Sequence, residues 1–154
     1  MGRNCISRYV NSAPIVKGLR PFGRLTGKRK SVVLNLDEYE VIRLLDYAHQ
    51  TQEEAALQMQ VSRPTLTRIY ERARVKFSTA LVEGCTLLIE GGEVMYRSHS
   101  FQCNHCHSSI QNAENQLTAC PRCNSTDIDS LDECHQKSCK QCRKCFKGGR
   151  HART

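Results

Sequence analysis

No stretch of this chain approaches the roughly eighteen consecutive apolar residues of a membrane-spanning helix. Its first ten residues, MGRNCISRYV, lack the apolar run of a secretion signal. These two absences point to a cytoplasmic protein with no membrane partner. Acidic residues are missing from positions 1–36, although that segment carries eight Lys or Arg. Also lacking are a phosphate-cradling glycine loop and any pairing of a nucleophile with a base, so no enzymatic activity is expected. With 154 residues, 39% of them hydrophobic and 25% charged, the chain suffices for one modest core and a satellite.

What is present is unevenly distributed. The net charge of +8 resolves into a basic start, −5 over residues 37–62, +4 over 63–76, −6 over 77–136 and +7 over 137–154. Basic ends around a basic central element suit a protein that grips phosphates on both sides of a base-reading helix, though basic ends also serve solubility alone. Ten cysteines in a reducing compartment argue against a disulfide framework, and their paired spacing points to metal.

Residues 51–81 read as two helices joined by a tight turn. Thr51 and Glu54 form a capping box, which starts one helix at Gln52. Ser62 caps the next, with Pro64 in its first turn, so the second helix starts at Arg63. Leu66, Ile69, Tyr70, Ala73, Phe77, Ala80 and Leu81 recur at helical spacing and should face a core. The opposite face carries Arg63, Thr67, Arg68, Arg72 and Lys76. Taken alone, such a face is usually solvated surface. Joined to a capping box and a short turn, it matches a DNA-reading helix-turn-helix. Gln60 stands where many such turns have glycine, and a left-handed conformation there would cost on the order of 1 kcal/mol.

Asn35 and Glu38 make a second capping box, opening a helix that runs to about Tyr47. Leu36, Tyr39, Ile42 and Leu45 would cover one flank of a core with Ala55, Ala56 and Met59. The expected fold is therefore mainly α. Its parts are a basic, largely irregular arm (1–33), a three-helix helix-turn-helix domain (34–92), a small β module resembling a zinc ribbon (93–133) and a cysteine-rich basic tail (134–154). TLLIEGGEVMYR alternates around Gly91 and Gly92, as in a β-hairpin or a linker.

The segment from Leu34 to Gly84 resembles region 4 of the sigma-70 family, in which a supporting helix precedes a promoter-reading helix-turn-helix. The closer resemblance is to a prokaryotic family known as domain of unknown function 134. It is carried by Val33 to Leu44, with its L-x-L-D-E-x-E-x-x-R-L pattern. It continues in M-x-V-S-R-x-T (Met59 to Thr65), A-L-V-x-G (Ala80 to Gly84) and I-E-G-G (Ile89 to Gly92). The resemblance spans residues 1–92 and implies a DNA-binding region without an established target.

Cys103, Cys106, Cys120 and Cys123 form two C-x2-C pairs thirteen residues apart, the spacing of a four-thiolate zinc ribbon. A single iron, as in rubredoxin, is the alternative occupant, but glycine usually follows rubredoxin knuckles and here His107 and Asn124 do. His105 and His107 could replace a ligand or lie outside the site. Cys134, Cys139, Cys142 and Cys145, beside His135, could bind a second zinc or an iron–sulfur cluster, or remain regulatory thiols. Cys85 reads as core filler.

The expected function is a sequence-specific, double-stranded-DNA-binding transcriptional regulator with a structural zinc. Arg63, Thr65, Thr67 and Arg68 would face base edges, and Arg72 and Lys76 phosphates. A metal- or redox-responsive sensor and an adaptor docking on RNA polymerase are the alternatives. No dimer interface is legible in the sequence.

Overall fold

A computed structural model describes residues 8–23 and 30–136, apart from the side chains of Cys134 and Gln136. Among these residues the chain is mixed α/β, not the mainly α, three-helix domain expected. Its strands are β1 (Arg8–Val10), β2 (Gly18–Leu19), β3 (Ser31–Leu34), β4 (Thr86–Ile89), β5 (Val94–Tyr96), β6 (His99–Cys103), β7 (Ser109–Asn112) and β8 (Ile128–Ser130). They form three sheets, with orders β1-β5, β2-β4-β3 and β7-β6-β8. The helices are α1 (Leu36–Ile42), α2 (Gln52–Met59), α3 (Arg63–Val82) and α4 (Leu131–Gln136). α1 continues as a π-helical turn over Arg43–Tyr47, where the Ala48 amide reaches back to the Arg43 carbonyl at 2.9 Å.

The departure from a helical domain has a physical cause. SVVL of β3 and TLLI of β4 are short apolar runs that pair in parallel, Val32 with Leu87 and Leu34 with Ile89. Such a pairing joins segments far apart in sequence, so no local periodicity announces it. The region expected to be an irregular arm supplies β1, β2 and most of β3. Gly18 is needed in β2, because a Cβ there would meet the Leu87 carbonyl oxygen. The expected hairpin around Gly91 and Gly92 does not form. β4 already has β2 and β3 as partners, and β5 pairs in parallel with β1. Gly91 instead accepts from the Leu36 amide and donates to the His135 carbonyl, at 3.0 and 3.1 Å.

The helical boundaries follow their caps. Thr51 and Glu54 satisfy each other's amides at 2.8 and 3.3 Å, and the Asn35 amide donates to the Glu38 carboxylate at 2.9 Å. α2 ends at Gln60, left-handed with φ 53° and ψ 45°. Its amide donates to Leu57, and that of Val61 to Ala56, the double bond of a Schellman turn.

The core combines Leu36, Val41 and Leu44 with Ala55, Ala56 and Met59 of α2, Leu66, Ile69 and Ala73 of α3, and Leu34, Leu87 and Ile89 of the sheet. Tyr39, Ile42 and Leu45 are only partly buried. Phe77 and Leu81, expected in the same stripe, stay exposed. Cys85 is buried among these apolar groups. Among the described residues no helix is long and apolar enough to cross a membrane.

Candidate metal centre and basic helix face

The four-cysteine site is built from two copies of one local pattern, C-x2-C-x-S. In the first, the Cys103 amide donates to the Ser108 carbonyl at 3.0 Å and the His107 amide to the Cys103 carbonyl at 2.9 Å. In the second, Cys120 and Ser125 are joined at 2.8 Å, and Asn124 and Cys120 at 2.8 Å. Closing each loop requires a left-handed residue after the second cysteine: His107 (φ 57°) and Asn124 (φ 61°). These are the positions where glycine was missed in the sequence. Asparagine tolerates that conformation better than most residues, so the knuckle survives without glycine.

β6 ends on Cys103, which holds the first knuckle at the rim of the β7-β6-β8 sheet. The four Sγ atoms lie within 4.8 Å of one another. Cys103 and Cys123 are 3.5 Å apart, and Cys106 and Cys120 3.7 Å. A tetrahedral ion with metal–sulfur bonds of about 2.3 Å would set its sulfurs about 3.8 Å apart, so the donor set fits such an ion. All four cysteines are free thiols.

Ser108 stands inside the cluster, its Oγ 3.0 Å from Cys106 Sγ and 3.5 Å from Cys120 Sγ. Its hydrogen bond lowers the Cys106 thiol and draws Cys120 down to about 6. Cys123 moves oppositely. The Ser125 amide lowers it, but desolvation and the neighbouring thiols push it up to about 12. Four thiolates this close repel one another, and a bound cation removes that repulsion. His105 and His107 are exposed and lie outside the four-residue donor set. The second cluster, Cys134, Cys139, Cys142 and Cys145, lies outside the described side chains.

The module is tied to the helical part through residues 11–14. Asn11 accepts from the Ser98 amide and hydroxyl at 2.8 and 3.0 Å, while its own amide donates to Glu40 at 3.0 Å. Ser100 donates to the Ala13 carbonyl, and Asp132 accepts from the Ser100 amide and meets His99 Nδ1 at 2.6 Å. His135 bridges the Ile89 and Pro14 carbonyls, at 2.9 Å from Nδ1 and 2.8 Å from Nε2, and burial pushes its pKa down. Arg97 reaches further and donates to the Gln58 carbonyl at 2.5 Å, in the last turn of α2.

The six residues expected to contact DNA all lie on α3, but the structure divides them. Arg68 is exposed, with no hydrogen bond or ion pair among the described residues. Arg63 pairs with Glu53 at 3.0 Å and also meets Gln52. Thr65 completes the Ser62 cap, at 2.8 Å between hydroxyls, and Thr67 donates to the Arg63 carbonyl. Lys76 and Arg72 converge instead on Glu38 of α1, at 2.5 and 4.0 Å.

Glu38 is only 2% exposed, and Asp37 and Glu40 beside it are equally buried. Arg8 pairs with Asp37, and Arg43 with Glu40 at 2.7 Å. Sequence reasoning missed this carboxylate row, having read Glu38 only as a cap. The signal was there in D-E-x-E, two residues before R-L: acids on a helix otherwise rich in core residues need cations from elsewhere.

The geometry therefore defines a small α/β protein with a four-thiolate metal-type site and a helix whose N-terminal face is basic and open. The chain belongs to the family described as protein of unknown function DUF134, whose model matches residues 1–97. A UPF0251 protein of Chloroherpeton thalassium is 35% identical over 95% of this chain and 90% of that protein. One from Caldicellulosiruptor saccharolyticus is 40% identical over 83% of this chain and 88% of its own length. A third, from Methanothermobacter thermautotrophicus, is 37% identical over 63% of this chain and 51% of its own. No solved structure matches.

Proposed function

We propose that the chain is a sequence-specific double-stranded-DNA-binding protein, a transcriptional regulator without a reaction of its own. The α2–α3 pair serves as its helix-turn-helix reader, used as in sigma-70 region 4, and the four cysteines hold a structural zinc in a ribbon-like module. The observation that carries this reading is the open N-terminal face of α3, where Arg68 projects free of any partner among the described residues. Recognition helices enter the major groove by their N-terminal turns, and an arginine there can bind guanine bidentately. Arg63, Thr65 and Thr67 flank it. Four protein sulfurs fill a tetrahedral coordination sphere, which suits a structural ion rather than a catalytic one.

Selection from a random DNA library with anaerobically purified protein, with and without chelator, tests both parts. A shared sequence motif among the selected DNAs supports base reading. Equal recovery of all sequences overturns it.

A second reading makes the cysteine module a metal- or redox-responsive controller of the same helix pair. The Arg97 to Gln58 bond favours it, because the chain leading into the metal site then holds the turn that aims α3. In this reading the chelated protein selects a different motif or none. Docking on RNA polymerase has no comparable structural support.

A further inference from the structure

The far half of α3 leaves an apolar face uncovered. Leu81 is 73% exposed and Phe77 41%, and across from them Leu19 and Phe22 rise from the segment around β2. Between them lies an open cleft of about 250 Å³, floored by Ala80, Cys85 and Leu87, with Phe22 and Leu81 at its edge. Phe22 is 99% exposed, so its ring is almost unburied where it lines the edge of the cleft.

We propose that this face is the contact between two copies of the chain, related by a two-fold axis, with Phe22 of each copy seated in the cleft of the other. Three features commit the cleft to a second copy. A cavity of about 150 Å³ already accepts a benzene ring, so the cleft has room for a phenyl group. The knob and the hole share one surface, which is the condition for an isologous pair. Arg20 at the cleft and Glu83 beside it are exposed and opposite in charge, with no ion pair among the described residues, so a two-fold pairing can join each to the other copy.

A two-fold pair also suits the proposed DNA reading, and the test of the pair does not require it. Arg68 lies about 20 Å along α3 from Leu81. A two-fold axis near Leu81 places the two Arg68 side chains at most about 40 Å apart, enough to span successive major grooves about 34–36 Å apart.

Sedimentation equilibrium of the full-length, metal-loaded protein without DNA is the test. Wild type is expected at twice the chain mass, and Phe22→Asp and Leu81→Asp at the chain mass with unchanged circular dichroism. Both side chains are exposed, so these variants should fold. Arg20→Glu and Glu83→Arg should each raise the dimer dissociation constant roughly tenfold, and the combined exchange should restore it. A wild-type monomer, its cleft covered by the chain's own tail or by another protein, overturns the proposal. So does a dimer that Phe22→Asp leaves intact. A monomeric variant that still selects a half-site would leave DNA reading standing, whereas a stable dimer without sequence preference would remove only the DNA reading.

Discussion

Arg97 Nη2 donates to the Gln58 carbonyl at 2.5 Å, so the chain between β5 and the metal site caps the last turn of α2. That carbonyl belongs to the group left without intrahelical partners at a helix end. A cation there also suits the negative end of the helix dipole. The bond connects the segment leading into a cysteine cluster that could hold a metal ion to the turn between α2 and α3.

Arg97→Ala is expected to lower stability by about 1 kcal/mol and to weaken the link between the two parts. Chelation of wild-type protein should speed amide exchange at Gln60 and Val61, and in Arg97→Ala it should not speed it further. Hydrogen exchange followed by mass spectrometry reads both. An unchanged chelator response in the variant would show that Arg97 carries no coupling.

Arg68 and Lys76 should separate DNA binding from stability. Arg68→Ala should change stability by less than about 0.5 kcal/mol, yet cost about 1 to 3 kcal/mol of binding and relax preference at one base. Lys76→Ala strips buried Glu38 of its close partner and should destabilise by about 1 to 3 kcal/mol, its own partial exposure limiting the loss. Chemical denaturation and binding titrations of both variants check the pair. Reversed roles would mean that DNA meets a different face.

Metal stoichiometry should depend on sulfur alone. Cys103→Ser and Cys120→Ser are each expected to lose tightly bound zinc, while His105→Ala and His107→Ala keep one ion per site, as read by elemental analysis. Loss of metal in a histidine variant would revise the donor set.

Acid should weaken α2 through Glu54. The Thr51 amide and then its hydroxyl hold the Glu54 carboxyl below the usual carboxylate range. A lowered folded value means this contribution is complete above the unfolded value and disappears as pH falls through the folded one. Urea denaturation should therefore show Glu54→Gln less stable than wild type near neutral pH, with the gap closing in acid. Thr51→Ala should cost about 1 kcal/mol near neutral pH. A gap that does not change with pH would assign Glu54 no role through its charge.

Much of the local structure was legible in the residues themselves. Thr51, Ser62 and Asn35 begin helices where their caps require, and Gln60 takes the left-handed conformation that the absence of glycine made costly. Gln60→Gly should accordingly stabilise by up to about 1 kcal/mol. The two C-x2-C pairs were equally plain, because a C-x2-C turn aims two sulfurs at one point whatever surrounds it, and the fold brings the four cysteines together as a group that could hold a metal ion. The repeated serine after each pair, which shapes both knuckles, went unread.

The sequence by itself determined the caps, the turn and the two separate C-x2-C turns, since each rests on hydrogen bonds or bond geometry within about five residues. Only the tertiary structure decided that β3 joins β4, that β5 joins β1 rather than folding back on β4, and that Glu38 claims Lys76 across 38 residues. The physical reason is burial. A carboxylate withdrawn from water must find a cation, and a short apolar strand must find a partner, from whatever distant segment the core brings near. Among the described residues, the same burial leaves Arg68 without a partner toward one end of α3 and Leu81 exposed at the other.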